Sequence, residues 1–118
     1  MKRDDDRLRT LMFEIEAHED PLYVFSLSFD SDRSERETYY HLRLLCDAGF
    51  LEETGETGGE FRMTNQGHDF LASVRDDTVW RKTRTAAAHL SGASLGILHD
   101  IAVGYVRQKL RELGVPID

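Results

Sequence analysis

Five histidines (His18, His41, His68, His89 and His99), a single cysteine (Cys46) and the glycines Gly55, Gly58 and Gly59 are the residues whose types could support chemistry. Zinc needs three or four converging ligands, and local pairs come from i, i+3 or i, i+4 positions on one element. These histidines fall on separate predicted elements, so no metal site is expected. His68-Asp69 and His99-Asp100 are sequence neighbours, and on a helix such neighbours point about 100° apart and make no dyad. Cys46 falls on the apolar side of a predicted helix with no nucleophile elbow around it, which reads as a buried, inert thiol. A lone cysteine also excludes an internal disulfide or thiolate zinc site. Glu56 separates the glycines and Glu60 follows them. Those charges repel phosphate, so the run is a turn and no nucleotide loop. No catalytic residue, metal or cofactor is expected, and the chain reads as a non-enzyme.

Cations are the remaining chemistry. Nucleic-acid affinity comes chiefly from Lys and Arg neutralising phosphates. Arg33, Arg36, Arg43 and Arg62, with Tyr40 among them, are the candidate DNA contacts. Glu37, Asp47, Glu52, Glu53, Glu56 and Glu60 stand in the same region and repel a phosphate backbone. The net charge of -7 is unevenly spread: residues 21–60 hold three basic and nine acidic side chains (-6), whereas residues 61–90 hold five and three (+2). Arg75, Arg81, Lys82 and Arg84 form a basic cluster beyond the wing, which reads as a solvated helix face. Two functions follow. One is a DNA-binding transcription regulator working through Arg33, Arg36, Tyr40, Arg43 and Arg62. The other is an acidic protein-interaction module that binds a basic protein surface and no DNA, using Tyr40, Leu44, Glu52, Glu53 and Glu56, since aromatic anchors dominate such interfaces.

The elements that must position these residues follow from periodicity and punctuation. Leu8, Leu11, Met12 and Ile15 share a helical face, predicting a helix from Asp5 to Glu19 that Asp20-Pro21 ends. Tyr23 to Phe29 alternates as a strand. Ser31 or Asp32 caps a second helix ending near Ala48-Gly49, with Tyr39, Leu42, Leu45 and Cys46 inward, His41 on the flank, and Arg36, Tyr40, Arg43 and Leu44 outward. Phe50 to Glu53 and Glu60 to Met63 are strands around the Thr57-Gly58-Gly59 turn, and Thr64 caps the helix that closes this wing. Between Pro21 and Ser31 stands a strand where the usual scaffold helix of a helix-turn-helix would be. Asp76-Asp77-Thr78 starts a further helix carrying Val79, Thr83, Ala86, Ala87 and Leu90, with Trp80 beside the stripe. The last helix, from Ser94 to Leu113, has an apolar arc too broad for one narrow face, so Ile97, Ile101, Val106 and Leu110 either form a homodimer interface or are covered by the chain's own first helix.

The expected fold is α+β, with helices and a small antiparallel two- to three-stranded wing sheet forming a winged-helix-like core, plus a C-terminal helical extension. At 118 residues one domain is expected, the winged core over residues 1–74 and the C-terminal helices over 75–118. No apolar run spans a bilayer, and Met1-Lys2-Arg3 leads into Asp4-Asp5-Asp6, which predicts no membrane partner and a cytoplasmic protein. Arg3-Asp4, Tyr40-His41-Leu42, Gly67-His68-Asp69-Phe70-Leu71 and Arg75-Asp76-Asp77-Thr78-Val79-Trp80 occur in that order. In them the chain resembles a small uncharacterised family of bacterial, phage and prophage proteins, itself named a domain of unknown function. The resemblance covers nearly the whole chain. It implies a winged-helix-like core and a frequent mobile-element setting, in which the interaction reading becomes a phage-encoded binder or inhibitor of a host protein. It implies no catalytic residues.

Overall fold

The Asp4 carboxylate accepts from the Asp6 and Arg7 amides and so starts α1 (Asp5–Ala17), whose first turn carries Asp5 and Asp6. Leu8, Leu11, Met12 and Ile15 are buried along one face. The helix stops at Ala17, short of the predicted Glu19, because the His18 amide turns back to the Ile15 carbonyl and the Asp20 carboxylate takes the Leu22 amide. This computed structural model describes residues 1–117; Asp118, the end of the expected domain, lies outside them. The chain divides into two compact units, one of Met1–Leu71 and one beginning at Ala72.

The predicted strand over Tyr23 to Phe29 contracts to β1 (Tyr23–Val24), with one further rung from the Phe25 amide to the Gly59 carbonyl at 2.8 Å. Continued in that register, Leu27 would face Thr57, which lies in the wing turn and offers no strand to pair with. Leu27 and Phe29 are consequently exposed, and the apolar alternation there buries nothing. No helix occupies the segment between β1 and α2 (Arg33–Asp47). Asp32, rather than Ser31, caps α2 in a reciprocal box with Glu35. Gly49, at φ +82°, ends it: its amide reaches the Cys46 carbonyl and the Phe50 amide the Leu45 carbonyl, the paired bonds of a Schellman motif.

β2 (Leu51–Thr54) and β3 (Glu60–Met63) pair antiparallel with Leu51 opposite Met63, and β1 pairs β3 with Tyr23 opposite Phe61. The sheet order is β1-β3-β2. Leu51, Phe61 and Met63 face the core, while Glu52 with Arg62 and Thr54 with Glu60 lie on the other face. α3 (Asn65–Val74) follows at once. Thr64 begins it by accepting from the Gly67 amide at 3.0 Å while donating its hydroxyl to the Gly49 carbonyl, and the Thr64 amide reaches the Phe50 carbonyl. That single residue ties the end of α2, the start of β2 and the start of α3 together. Phe50 and Phe70 stack at 4.5 Å beneath it.

In the second unit Asp76 caps α4 (Asp77–Ala88) through the Val79 amide, and Ser94 caps α5 (Leu95–Glu112) through that of Ile97. Trp80, expected beside the α4 stripe, is part of the buried set with Val79, Thr83 and Ala87; Leu90, expected in the stripe, lies beyond the helix and is exposed. The fold is therefore α+β, with five helices among the described residues and a small open antiparallel sheet of three strands in a winged-helix-like arrangement. Among the described residues no helix is long and apolar enough to cross a membrane.

Candidate interaction surface on α2 and the wing

The outward face of α2 and the wing bring together most of the residues singled out from sequence, and the geometry pairs them with one another. Arg33 Nε meets Glu37 at 3.2 Å one helical turn on. Arg62 reaches Glu52 directly across the β2–β3 ladder, also at 3.2 Å. Arg43 forms a close ion pair with Glu53. Arg36 donates from Nε to the Ser31 carbonyl at 3.3 Å. The cations expected to meet phosphate are thus exposed, but three of the four already hold a carboxylate.

Glu53 differs from the other wing acids. It lies on the core-facing side of β2, half-buried, and accepts from the Gly59 amide at 2.8 Å as well as from Arg43. The Gly59 amide first, and the Arg43 guanidinium second, hold its carboxyl below the ordinary glutamate range. The reciprocal bond to Glu53 raises Arg43, which stays charged. Glu53 is a latch that fastens the wing turn to α2, a role the charge count alone did not show. Glu52 and Glu56 are exposed as expected, whereas Tyr40 and Leu44, expected outward, are half-buried. Tyr40 rests edge-on against His41, their ring centroids 5.5 Å apart.

His41 departs furthest from its expected place. It is 3% exposed, not on the flank. Its Nδ1 donates to the Glu37 carbonyl at 2.7 Å, which fixes the tautomer, and its Nε2 accepts from the Asp4 amide at 2.9 Å. The imidazole therefore fastens the start of α1 to the middle of α2. Asp4 and His41 are 37 residues apart, and no local pattern announces that contact. Arg7 adds a bond from the same helix to the Thr38 hydroxyl at 3.1 Å.

Cys46 is half-buried rather than buried. Burial first, and the nearby Glu53 charge second, push its thiol up to about 11, so it is protonated at neutral pH and a poor nucleophile. The other histidines lie at the α1 C-cap (His18), in α3 (His68), at the α4 C-cap (His89) and in α5 (His99). Among the described residues no three His, Cys, Asp or Glu side chains gather as a metal site. Sequence reading missed the pair Ser73 and His99, whose Oγ and Nδ1 lie 3.0 Å apart. Ser73 is buried, so the pair serves as a clasp onto α5.

The basic cluster lies in the second unit. Arg84 sits over the Trp80 ring and Lys82 over the Tyr105 ring, at 5.7 and 5.8 Å. Of the α5 residues named as an interface, Ile97 is 42% exposed and Ile101, Val106 and Leu110 are half-buried, while Leu95, Leu98 and Ala102 are buried.

Fold and surface together define a winged-helix-like α+β protein whose outer α2 face is charge-compensated. The chain belongs to the family described as hypothetical protein (DUF2513), which matches residues 2–94. It is 29% identical over 121 aligned residues to an uncharacterized protein of Haemophilus influenzae, the match covering 93% of this chain and 99% of that protein. No solved structure matches it.

Proposed function

We propose that this chain is a non-enzymatic winged-helix regulatory protein whose α2 face and wing engage a basic protein surface and not duplex DNA. The observation that carries this reading is the mutual engagement of its cations and acids: Arg33 with Glu37, Arg43 with Glu53 and Arg62 with Glu52. A surface pair of this kind is worth only about 0–1 kcal/mol, so a phosphate can compete for one arginine. Each exchange, however, leaves the displaced carboxylate facing the phosphate backbone. A basic partner meets the opposite situation, since Glu56 and Glu60 on the wing add to the paired acids. The protonated Cys46 thiol and the buried Ser73 support the non-enzymatic part of the reading.

The test is capture from host lysate with and without nuclease, beside a mobility shift on random duplex at low and moderate salt. The expected result is a nuclease-resistant partner lost in Leu44→Asp and in Glu56→Lys, and no duplex shift at low salt. Glu56 is exposed, so its reversal leaves the fold intact even where Leu44→Asp disturbs it. A salt-sensitive duplex shift that disappears in Arg43→Glu overturns the proposal. The DNA reading has one observation in its favour: Arg36 is exposed and donates to a backbone carbonyl, with no carboxylate to displace.

A further inference from the structure

β1 is an edge of the sheet, and its outer side is open. In an antiparallel ladder alternate residues turn their N–H and C=O groups toward the partner strand, and those between turn them away. Tyr23 opposite Phe61 and Phe25 opposite Gly59 are the inward rungs, the latter with its 2.8 Å bond. Val24 and Ser26 therefore direct their amides and carbonyls outward, where no described residue meets them. Natural edges are usually guarded by charge, proline or a covering element. On this edge Val24 is apolar and 69% exposed, Ser26 beside it is polar and exposed, and Pro21 stands two residues before the strand. A cleft of about 250 Å³ opens beside the same segment, walled by Phe25, Leu27 and Tyr39 and carrying Glu53.

The charge around this edge selects its occupant. From Glu19 to Asp32 the chain holds Glu19, Asp20, Asp30 and Asp32 and no Lys or Arg, and Glu60 stands opposite Val24 on β3. A second copy of the chain pairing edge to edge would bring these acids against their own counterparts. A lysine- or arginine-bearing strand would meet them favourably, and its β-branched residues would cover Val24. We infer that the open edge of β1 takes an extended, basic and β-branched segment of a partner protein as a fourth strand of the sheet. This rests on the protein-partner reading above and names the recognition mode: backbone bonds at Val24 and Ser26, with alternate partner side chains reaching the Glu53 cleft.

The test uses the full chain and a synthetic peptide of alternating lysine and valine, with two controls: the same peptide N-methylated at alternate residues, and a glutamate–valine peptide. Amide hydrogen exchange and fluorescence anisotropy are the readouts. The lysine–valine peptide slows exchange at Val24 and Ser26 by roughly tenfold, equivalent to about 1.4 kcal/mol. The N-methylated and acidic peptides do not. Val24→Pro removes one outward N–H, leaves both rungs to β3 in place and abolishes peptide binding, since an edge strand accepts proline where its N–H faces solvent. Equal binding of the N-methylated peptide overturns the inference without any change to the protein. So does retained binding in a folded Val24→Pro variant, an absence of protection, or a sedimenting dimer that Val24→Pro dissociates, which would make a second copy the occupant. A partner captured from lysate, lost in Leu44→Asp and kept in Val24→Pro, sinks strand addition and leaves the protein-partner reading standing. Duplex binding through Arg43 sinks that reading itself.

Discussion

The unit of residues 1–71 holds eight basic and seventeen acidic side chains, a net charge of -9, whereas residues 72–118 hold seven and five, a net charge of +2. The winged unit, which has the architecture associated with reading DNA, is thus the acidic one, and the helical unit carries the cationic cluster. Both units are tied internally by side chains. The winged unit is tied by His41 to Asp4, by Glu53 to Gly59 and Arg43, and by Thr64 to Gly49. In the second unit Lys109 reaches Asp76 at 3.2 Å, and Ile97 and Leu113 stand exposed on or beside α5. What separates the units is charge, and the acidity of the winged unit decides which partners its surface admits.

Glycine substitutions break this comparison most directly. Gly67 lies in the first turn of α3, where an added Cβ would run into the Phe50 carbonyl oxygen and come within 2.9 Å of Met63 Cγ. That oxygen already accepts the Thr64 amide and cannot move without opening the wing. Gly67→Ala is therefore expected to lose roughly 3 kcal/mol or more, since overpacking against backbone exceeds the ordinary cost of a crowded core. Urea denaturation followed by far-UV circular dichroism gives the number, and an unchanged midpoint would remove the junction's claim to rigidity. Thr64→Val comes next. It keeps the shape and deletes both hydroxyl bonds, for an expected loss of about 1–2 kcal/mol. Gly104, in α5, has nothing within 4 Å of an added Cβ. Gly104→Ala should therefore stabilise by about 0.5–1 kcal/mol, opposite in sign to Gly67→Ala, because only helix propensity is at stake there.

Much of this architecture was legible because its signals are local. Asp4, Asp32, Asp76 and Ser94 each cap the helix that follows, and the acid-rich turns and glycine stops delimit α1, α2 and α5. The Thr57-Gly58-Gly59 turn and the Thr64 cap mark the wing, whose inward residues Leu51, Phe61 and Met63 only the structure shows. The same logic misled at Tyr23 to Phe29, where alternation is real but β3 ends before it can pair. Leu90 was likewise placed by periodicity in a helix that stops at Ala88, where the backbone tightens as the His89 amide turns to the Ala86 carbonyl. Surface chemistry was legible only as composition. The excess of acids over arginines around α2 was plain, but which acid holds which arginine depends on strand register and on side chains ten residues apart. His41 shows the limit most clearly: its helical spacing placed it on a flank, and only its tertiary bond to Asp4 turns that flank inward.

The smallest expected effect concerns acid, and it separates the two units by residue rather than by sign. Glu53 in the wing and Asp76 at the start of α4 are both held below their ordinary ranges, Glu53 chiefly by the Gly59 amide and Asp76 chiefly by the Val79 amide, with Lys109 second. A carboxyl whose folded value is depressed contributes stability that is complete above its unfolded value, about 4.3 for glutamate and 3.9 for aspartate. That contribution is lost as pH falls through the folded value. Both units should therefore weaken below about pH 4, and neither should change between pH 6 and 8 on account of these groups. Glu53→Gln removes the wing's share: its stability should fall by under roughly 1 kcal/mol at neutral pH, with a flatter decline below pH 4. Exchange at the Gly59 amide, followed against pH, reports the wing, and exchange at the Val79 amide reports α4. If Glu53→Gln left the acid response at Gly59 unchanged while altering that at Val79, the wing latch would not be the group that titrates, and the separate cross-tying of the two units would lose its support.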